Sequence, residues 1–334
     1  MPPTVFHPLY RWRRRLRAAA PAGFLACLLA ALPAAAFDVQ GHRGARGLAP
    51  ENTLAGFRAA LAAGATTWEL DIGLTQDGVP VVLHDRRLNP EMTRDRHGTW
   101  IDAPTPTLGS LPLAVLQSYD VGRLRPGTRS AAAWPQQQPA DGERVPTLDA
   151  VFELARRAAP ASLRFNIETK LSPLAPDETA PPEAFVTALL ASIDRHGLRQ
   201  RVTVQSFDWR TLQRLQQLAP GIATAALTAE RPDFDTVSSG RWSAGLVLAE
   251  HGGSVPRLVR ALGAPIWSPN FRDLTPERLA EARALGLRVI PWTVNAPEDI
   301  ERLLGWPIDG LISDYPDRVV AALAARRAPA AAPR

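Results

Sequence analysis

Thr67-Trp68-Glu69-Leu70-Asp71-Ile72 alternates apolar and acidic residues with a period of two. In a strand this puts Trp68, Leu70 and Ile72 on one face and Glu69 and Asp71 on the other. Two carboxylates side by side on the inner face of a closed sheet repel each other and are poorly solvated, so they call for a cation or a shared proton. At a solvated mouth they would instead pair with arginines. The alternation recurs in Leu163-Arg164-Phe165-Asn166-Ile167-Glu168-Thr169-Lys170, with Leu163, Phe165 and Ile167 outward and Asn166, Glu168 and Lys170 inward. A third carboxylate thus arrives at the C-terminal end of the next strand.

Outward from these two stretches, short apolar runs alternate with amphipathic segments, the pattern of repeated βα units around a parallel sheet. It predicts strands at 37–41, 66–72, 163–168, 201–205, 221–227, 264–268, 287–293 and 309–313. Eight such strands imply an α/β fold closed as a (β/α)8 barrel over residues 37–326. Helices are expected at 53–63, where Leu54, Phe57 and Leu61 recur at helical spacing before Gly64, and at 147–159, 181–196, 208–218, 254–262, 275–285, 297–304 and 315–326. Residues 86–146 break the rhythm: proline-rich, holding Gln136-Gln137-Gln138 and no long periodic helix, they read as an irregular insertion after the second strand. Its place after a barrel strand suggests a cap over the mouth where substrates bind. Residues 327–334 read as a disordered tail.

Three carboxylates, with no cysteine and no paired histidine at zinc spacing, form an oxygen-rich set suited to Mg²⁺ or Ca²⁺. His42 ends the first strand, and His84 ends the apolar run Val79 to Leu83. Histidines at strand ends on a barrel rim can exchange protons near neutral pH, and His42 and His84 together are candidate acid–base groups. Arg43 offers a planar fork to phosphate oxygens, or a salt bridge to Glu51. Lys170 offers a point charge to an anion, or an ion pair to one of the carboxylates. Gly44 and Gly47 would let backbone amides approach an anion. Gln205 should face inward at a strand end, and Trp292 either walls the pocket beside an alcohol moiety or packs in the core. Asp314 is read as a cap of the final helix, and His97, His196 and His251 as surface or loop residues.

With 334 residues, 46% hydrophobic and 21% charged, the chain can bury one sizeable core. The net charge of +5 is concentrated in Arg11, Arg13, Arg14, Arg15 and Arg17, and the near-neutral remainder carries no basic stripe of the kind nucleic acid requires. An apolar run from Ala18 to Leu32 and the small residues Ala34-Ala35-Ala36 follow, so residues 1–36 read as a secretory signal peptide and the protein as exported, periplasmic or secreted. The run is shorter than the roughly 20 residues of a bilayer span, so no stable span is expected in the mature form. Cys27, the single cysteine, lies in the leader and in an imperfect lipobox, and the triple arginine leaves twin-arginine export open. Oligomeric state has no handle in the sequence.

In order and spacing, HRGARGLAPENTLAGF (42–57), ELDIGLTQDGVPVVLHD (69–85), NIETK (166–170), VQSFD (204–208), PWTVN (291–295) and GLISDYP (310–316) resemble the glycerophosphodiester phosphodiesterase family. The resemblance implies a TIM barrel that hydrolyses small-molecule glycerophosphodiesters to glycerol 3-phosphate and an alcohol. It implies Glu69, Asp71 and Glu168 as ligands of one divalent cation, Ca²⁺ narrowly before Mg²⁺, His42 and His84 as the acid–base pair, and Arg43 and Lys170 as phosphate contacts. Phospholipase D-like hydrolysis of lysophospholipids, which related barrels perform, is one alternative. A non-catalytic exported binding protein is another, although binding alone needs no proton shuttle.

Overall fold

In the computed structural model, which describes residues 1–4 and 37–327, the outward residues of the decisive strand are sealed from water: Trp68, Leu70 and Ile72 are each 0% exposed. Trp68 packs on Phe57 of the first helix with ring centroids 5.1 Å apart and meets Phe165 edge-on at 6.1 Å. Outward apolar faces buried under helices and inward polar faces are what a barrel of alternating strands requires.

Eight parallel strands build that barrel: β1 (Asp38–Gly41), β2 (Thr67–Leu74), β3 (Arg164–Thr169), β4 (Val202–Ser206), β5 (Ala223–Thr228), β6 (Ile266–Pro269), β7 (Arg288–Val289) and β8 (Gly310–Ser313). Each strand pairs with its sequence neighbour from β1 through β7, and β8 returns to pair with β1. Between β7 and β8 the barrel is nearly closed by backbone bonds, from Asp309 N–H to Val289 O (2.9 Å) and from Ile312 N–H to Pro291 O (3.0 Å). Regular pairing of β7 stops earlier than expected because Pro291 has no N–H to donate. The N–H groups of Ile290 and Trp292 still reach Trp267 O and Pro269 O of the β6 segment, each at 3.0 Å.

Eight helices cover the outside: α1 (Leu54–Ala62), α2 (Leu148–Ala158), α3 (Pro182–Arg195), α4 (Trp209–Leu218), α5 (Val255–Leu262), α6 (Pro276–Ala284), α7 (Pro297–Leu304) and α8 (Pro316–Arg327). Side chains at the expected starts cap them, with Thr53, Thr147, Asp208, Ser254 and Thr275 accepting backbone N–H groups of the first turn. Among the described residues no helix is long and apolar enough to cross a membrane. The leader lies outside the described residues apart from residues 1–4, as does the tail beyond Arg327.

The stretch after β2 is a hairpin before it is a loop. Pro80–Val82 pairs antiparallel with Ile72–Leu74, so the chain doubles back over the C-terminal end of β2. The insertion that follows contains only short helical turns, Leu108–Ser110, Leu113–Leu116 and Arg129–Ala133, and it has a small core of its own. Val81, Leu83, Leu88, Leu108, Leu116, Val121 and Val145 form that core, separate from the main one.

Candidate active site

The register of the central strands assembles the carboxylates. Asp71 lies opposite Glu168 on the neighbouring strand, and Glu168 lies opposite Gln205 on the next. One oxygen from each of Glu69, Asp71 and Glu168 can be chosen so that all three lie within 4.8 Å of one another, and all three residues are buried. Asp71 Oδ1 has no hydrogen-bond partner and is 3.6 Å from Lys170 Nζ. Burial and the neighbouring charges of Asp71 and Glu168 push Glu69 well above the ordinary carboxylate range. Burial likewise raises Glu168 to about 7, against the opposing charge of Lys170. Asp71 resists the same burial because His84, Lys170 and Arg43 hold its carboxyl far below the usual range. An oxygen-only donor set in which burial and neighbouring charge raise two of the three acids, and in which the third has an unpartnered oxygen, fits a hard divalent cation.

The rest of the set surrounds this cluster. His42 Nε2 lies 4.0 Å from Glu69 Oε2, while its Nδ1 bonds Asp314 Oδ1 at 2.6 Å. His84 Nδ1 bonds Asp85 Oδ1 at 2.7 Å. His84 arrives on the doubled-back hairpin rather than at the end of a barrel strand, delivered by the bond from Leu83 N–H to Asp71 O at 3.0 Å. Burial and the charge of Arg46 lower His42 to about 4, and burial with the charge of Arg43 also lowers His84. Arg43 takes a left-handed conformation (φ 52°), and its own N–H donates to Glu69 Oε2 at 2.7 Å. Its guanidinium meets Glu51 at 2.8 Å and Asp71 at 3.3 Å, while Lys170 Nζ meets Glu168 at 2.6 Å. Both structural pairings open in the sequence are therefore formed.

Residues 42–318 match the model of the glycerophosphoryl diester phosphodiesterase family. The chain belongs to that family. A glycerophosphodiester phosphodiesterase of Bacillus subtilis is 30% identical over 282 residues, covering 83% of each chain. A crystal structure from Silicibacter pomeroyi DSS-3, assigned to the glycerophosphoryl diester phosphodiesterases, is 35% identical with a TM-score of 0.78, covering 88% of this chain and 95% of that one. An Oleispira antarctica phosphodiesterase solved with its product sn-glycerol-3-phosphate shares the fold at 22% identity and a TM-score of 0.63, over 86% and 96% of the two chains.

Several residues of this family member lie elsewhere than expected. Asp314, read as a helix cap, is 1% exposed and braces His42, and Arg46 bonds the same carboxylate at 2.9 Å. Neither was legible, because each partner is remote in sequence and only the meeting of β1 with β8 joins them. Gly44 and Gly47 do not open amides to an anion: their N–H groups bond Glu69 O (3.1 Å) and Asp314 O (2.9 Å). They are glycines because a Cβ would lie 2.6 Å from the Gly56 backbone or 2.3 Å from the Tyr315 ring. Gln205 points inward as expected, but its amide bonds Glu69 Oε1 at 2.8 Å and accepts from Asn166 at 2.8 Å. His196 is half-buried rather than on the surface, set edge-on to Phe152 and 3.2 Å from Asp149.

Beyond the carboxylates opens a cleft of about 770 Å³ lined by His84, Glu168, Lys170 and Trp292 on the inner side. Trp292 and Phe207 meet edge-on at 5.3 Å, Phe207 and Phe234 at 5.0 Å, and Phe234 and Trp242 at 5.8 Å. Phe234 sits on a small ribbon, Glu230–Arg231 paired with Phe234–Asp235, which no periodicity announced. The start of the insertion, Arg86 to Pro90, also lines the cleft.

Proposed function

We propose that the chain hydrolyses glycerophosphodiesters to glycerol 3-phosphate and an alcohol, by proton transfer through His42 and His84 beside a divalent cation held by Glu69, Asp71 and Glu168. Ca²⁺ is narrowly preferred over Mg²⁺. Bound there, the cation would neutralise phosphodiester charge and polarise the reacting oxygens. The observation that carries the reading is that two imidazoles, each tied at Nδ1 to a carboxylate (2.6 and 2.7 Å), flank one buried cluster of three acids.

A carboxylate on Nδ1 keeps the proton there, which leaves Nε2 of the neutral ring as a lone pair. Both rings are held below the ordinary histidine range, so the one that accepts starts neutral at pH 7. It takes a proton from the attacking hydroxyl, either of water, which gives glycerol 3-phosphate directly, or of the substrate's own glycerol, which gives a cyclic phosphate that a water must then open. The other ring must donate to the departing alkoxide, and the negative charge of the diester, with its own carboxylate partner, favours the imidazolium that this needs. Arg43 and Lys170, paired with carboxylates here, are close enough to the cluster to take phosphate oxygens. The outer cleft, with its edge-on aromatic rings, would hold the alcohol half, and the insertion would cap one side of it. The leader sequence supports an exported, periplasmic or secreted enzyme.

The test is turnover of glycerophosphocholine with and without EDTA, repeated for His42→Ala and His84→Ala. Loss of activity in EDTA and in both variants is expected, with cation binding retained by the variants. Full turnover by either variant overturns the assignment.

A further inference from the structure

Asp314 bonds more than His42. Its Oδ1 accepts from Arg46 Nε at 2.9 Å, and its Oδ2 accepts from Asn295 Nδ2 at 2.7 Å and from Arg46 Nη2 at 3.2 Å. One further donor, Trp134 Nε1 at 3.4 Å, comes from the insertion. The ring of Trp134 also lies under the Arg46 guanidinium, 4.2 Å from its centroid. The next residues grip the same turn: Gln137 Nε2 donates to Arg46 O at 2.8 Å and Gln138 N–H to Leu48 O at 2.8 Å. Gln136 Oε1 accepts from Arg318 on α8 at 3.1 Å. The polar run that looked like loop composition thus fastens the insertion to the turn that follows β1 and to α8, the segments that adjoin His42 and Asp314.

Arg46 has a second place to go, since its Nη1 lies 3.6 Å from Glu51 Oε2. Stacking on Trp134 keeps the fork on Asp314. With the ring removed, the guanidinium can turn toward Glu51, and the Asp314 carboxylate loses three donor atoms, Trp134 Nε1 and Arg46 Nε and Nη2. His42 is then free to change rotamer and to exchange its Nδ1 proton for one on Nε2.

We propose that Trp134 and Arg46 are positioning residues for His42: the insertion clamps the guanidinium onto Asp314 and so fixes the aim and tautomer of the imidazole. The insertion therefore serves the chemistry itself as well as walling the cleft. This rests on the acid–base reading of His42.

The experiment measures kcat and KM for glycerophosphocholine at saturating cation, per folded molecule, in the wild type, Trp134→Ala, Trp134→Phe, Arg46→Lys and Trp100→Ala. Trp100 lies in the same insertion, but the arginine over it, Arg94, bonds Asp120 and Asp141. Trp134→Ala and Arg46→Lys should lose about tenfold in kcat with KM within about twofold, as expected for a misaimed group rather than weakened binding. Trp134→Phe keeps a ring beneath the guanidinium and should lose only about threefold. Trp100→Ala should match the wild type. In ¹⁵N-histidine spectra, His42 should show one tautomer in the wild type and a mixture in Trp134→Ala.

Wild-type kcat in Trp134→Ala, an unaltered tautomer beside a lowered kcat, or an equal loss in Trp100→Ala each overturns the proposal. Should Trp134→Ala not fold, Trp134→Phe and Arg46→Lys decide it by the same two readings. A fully active His42→Ala enzyme, or a wild type inert toward glycerophosphodiesters, overturns the functional reading instead. An inactive His42→Ala beside a full-rate Trp134→Ala overturns only the clamp.

Discussion

Asp314→Asn removes one charge and leaves the shape unchanged, so its effect isolates what the carboxylate does for His42. The amide nitrogen must take the place of one oxygen. In the Oδ2 place it would face Asn295 Nδ2, which cannot turn away without losing the bonds its Oδ1 accepts from Asp314 N–H at 2.9 Å and the Ser313 hydroxyl at 3.3 Å. In the Oδ1 place it faces His42 Nδ1, and the ring relieves the clash by moving its proton to Nε2. Arg46 loses its fork partner there and turns toward Glu51. The second arrangement keeps more bonds, and it leaves His42 without a lone pair toward the carboxylate cluster. A wrong tautomer at a catalytic imidazole is worth about 10²- to 10⁴-fold in kcat, or about 3 to 5 kcal/mol of barrier. Breaking a buried pair costs about 3 kcal/mol of stability, the low end of the usual range because Glu51 can still partner Arg46. The assay is kcat with glycerophosphocholine, read as released glycerol 3-phosphate, alongside a urea melt to correct for unfolded enzyme. A folded Asp314→Asn protein retaining more than about a tenth of wild-type kcat would refute this account of the His42–Asp314 pair.

Glu168 is raised to about 7 with no cation bound, so at pH 6 it is largely protonated, and Ca²⁺ binding should release about one proton or more, read from the buffer dependence of the calorimetric heat. Because this folded pKa lies above the unfolded value of 4.5, the contribution of Glu168 to stability is fully present below about pH 4.5 and is lost as pH rises through about 7; the Tm of the cation-free protein should fall between about pH 4.5 and 7 and level off above, and saturating Ca²⁺ should abolish that fall. Gly47→Ala would drive a methyl to 2.3 Å from the Tyr315 ring and should cost about 1 to 3 kcal/mol in a denaturant melt, whereas a gain in stability would contradict the packing argument. Phe234→Ala should raise KM about tenfold for a diester with a bulky apolar alcohol and leave kcat near wild type, and an equal effect on glycerophosphoglycerol would show that the outer cleft does not select the alcohol.

The barrel was readable because each of its strands carries its instruction locally. Alternation alone sent Trp68 to the helices and Glu69 inward, and the capping residues Thr53, Thr147 and Thr275 stood at the helix starts where they were expected. The three acids were readable for the same reason, since parallel register carries inward residues of adjacent strands to one level. What stayed hidden depends on contacts between distant segments. Asp314 looked like a cap because its partners, His42, Arg46 and Trp134, lie in the turn after β1 and in the insertion. Phe234 was invisible for a related reason: a two-residue ribbon is too short to show a period. Gly44 and Gly47 were assigned the wrong purpose, because a glycine in the sequence does not say whether a ligand or another part of the chain comes close.

The separate nucleus of Val81, Leu83, Leu88, Leu108, Leu116, Val121 and Val145 has a bearing on how such a protein can diversify. Most of the segment after β2 is stabilised by this private set of apolar residues, so exchanges there need not disturb the staves beneath. Lineages could reshape the rim of the outer cleft while the carboxylate cluster stays fixed. The freedom stops at residues 134–138, where the excursion is fastened to the turn after the first stave and to the segment after the last, and variation there should be as restricted as at the acids themselves.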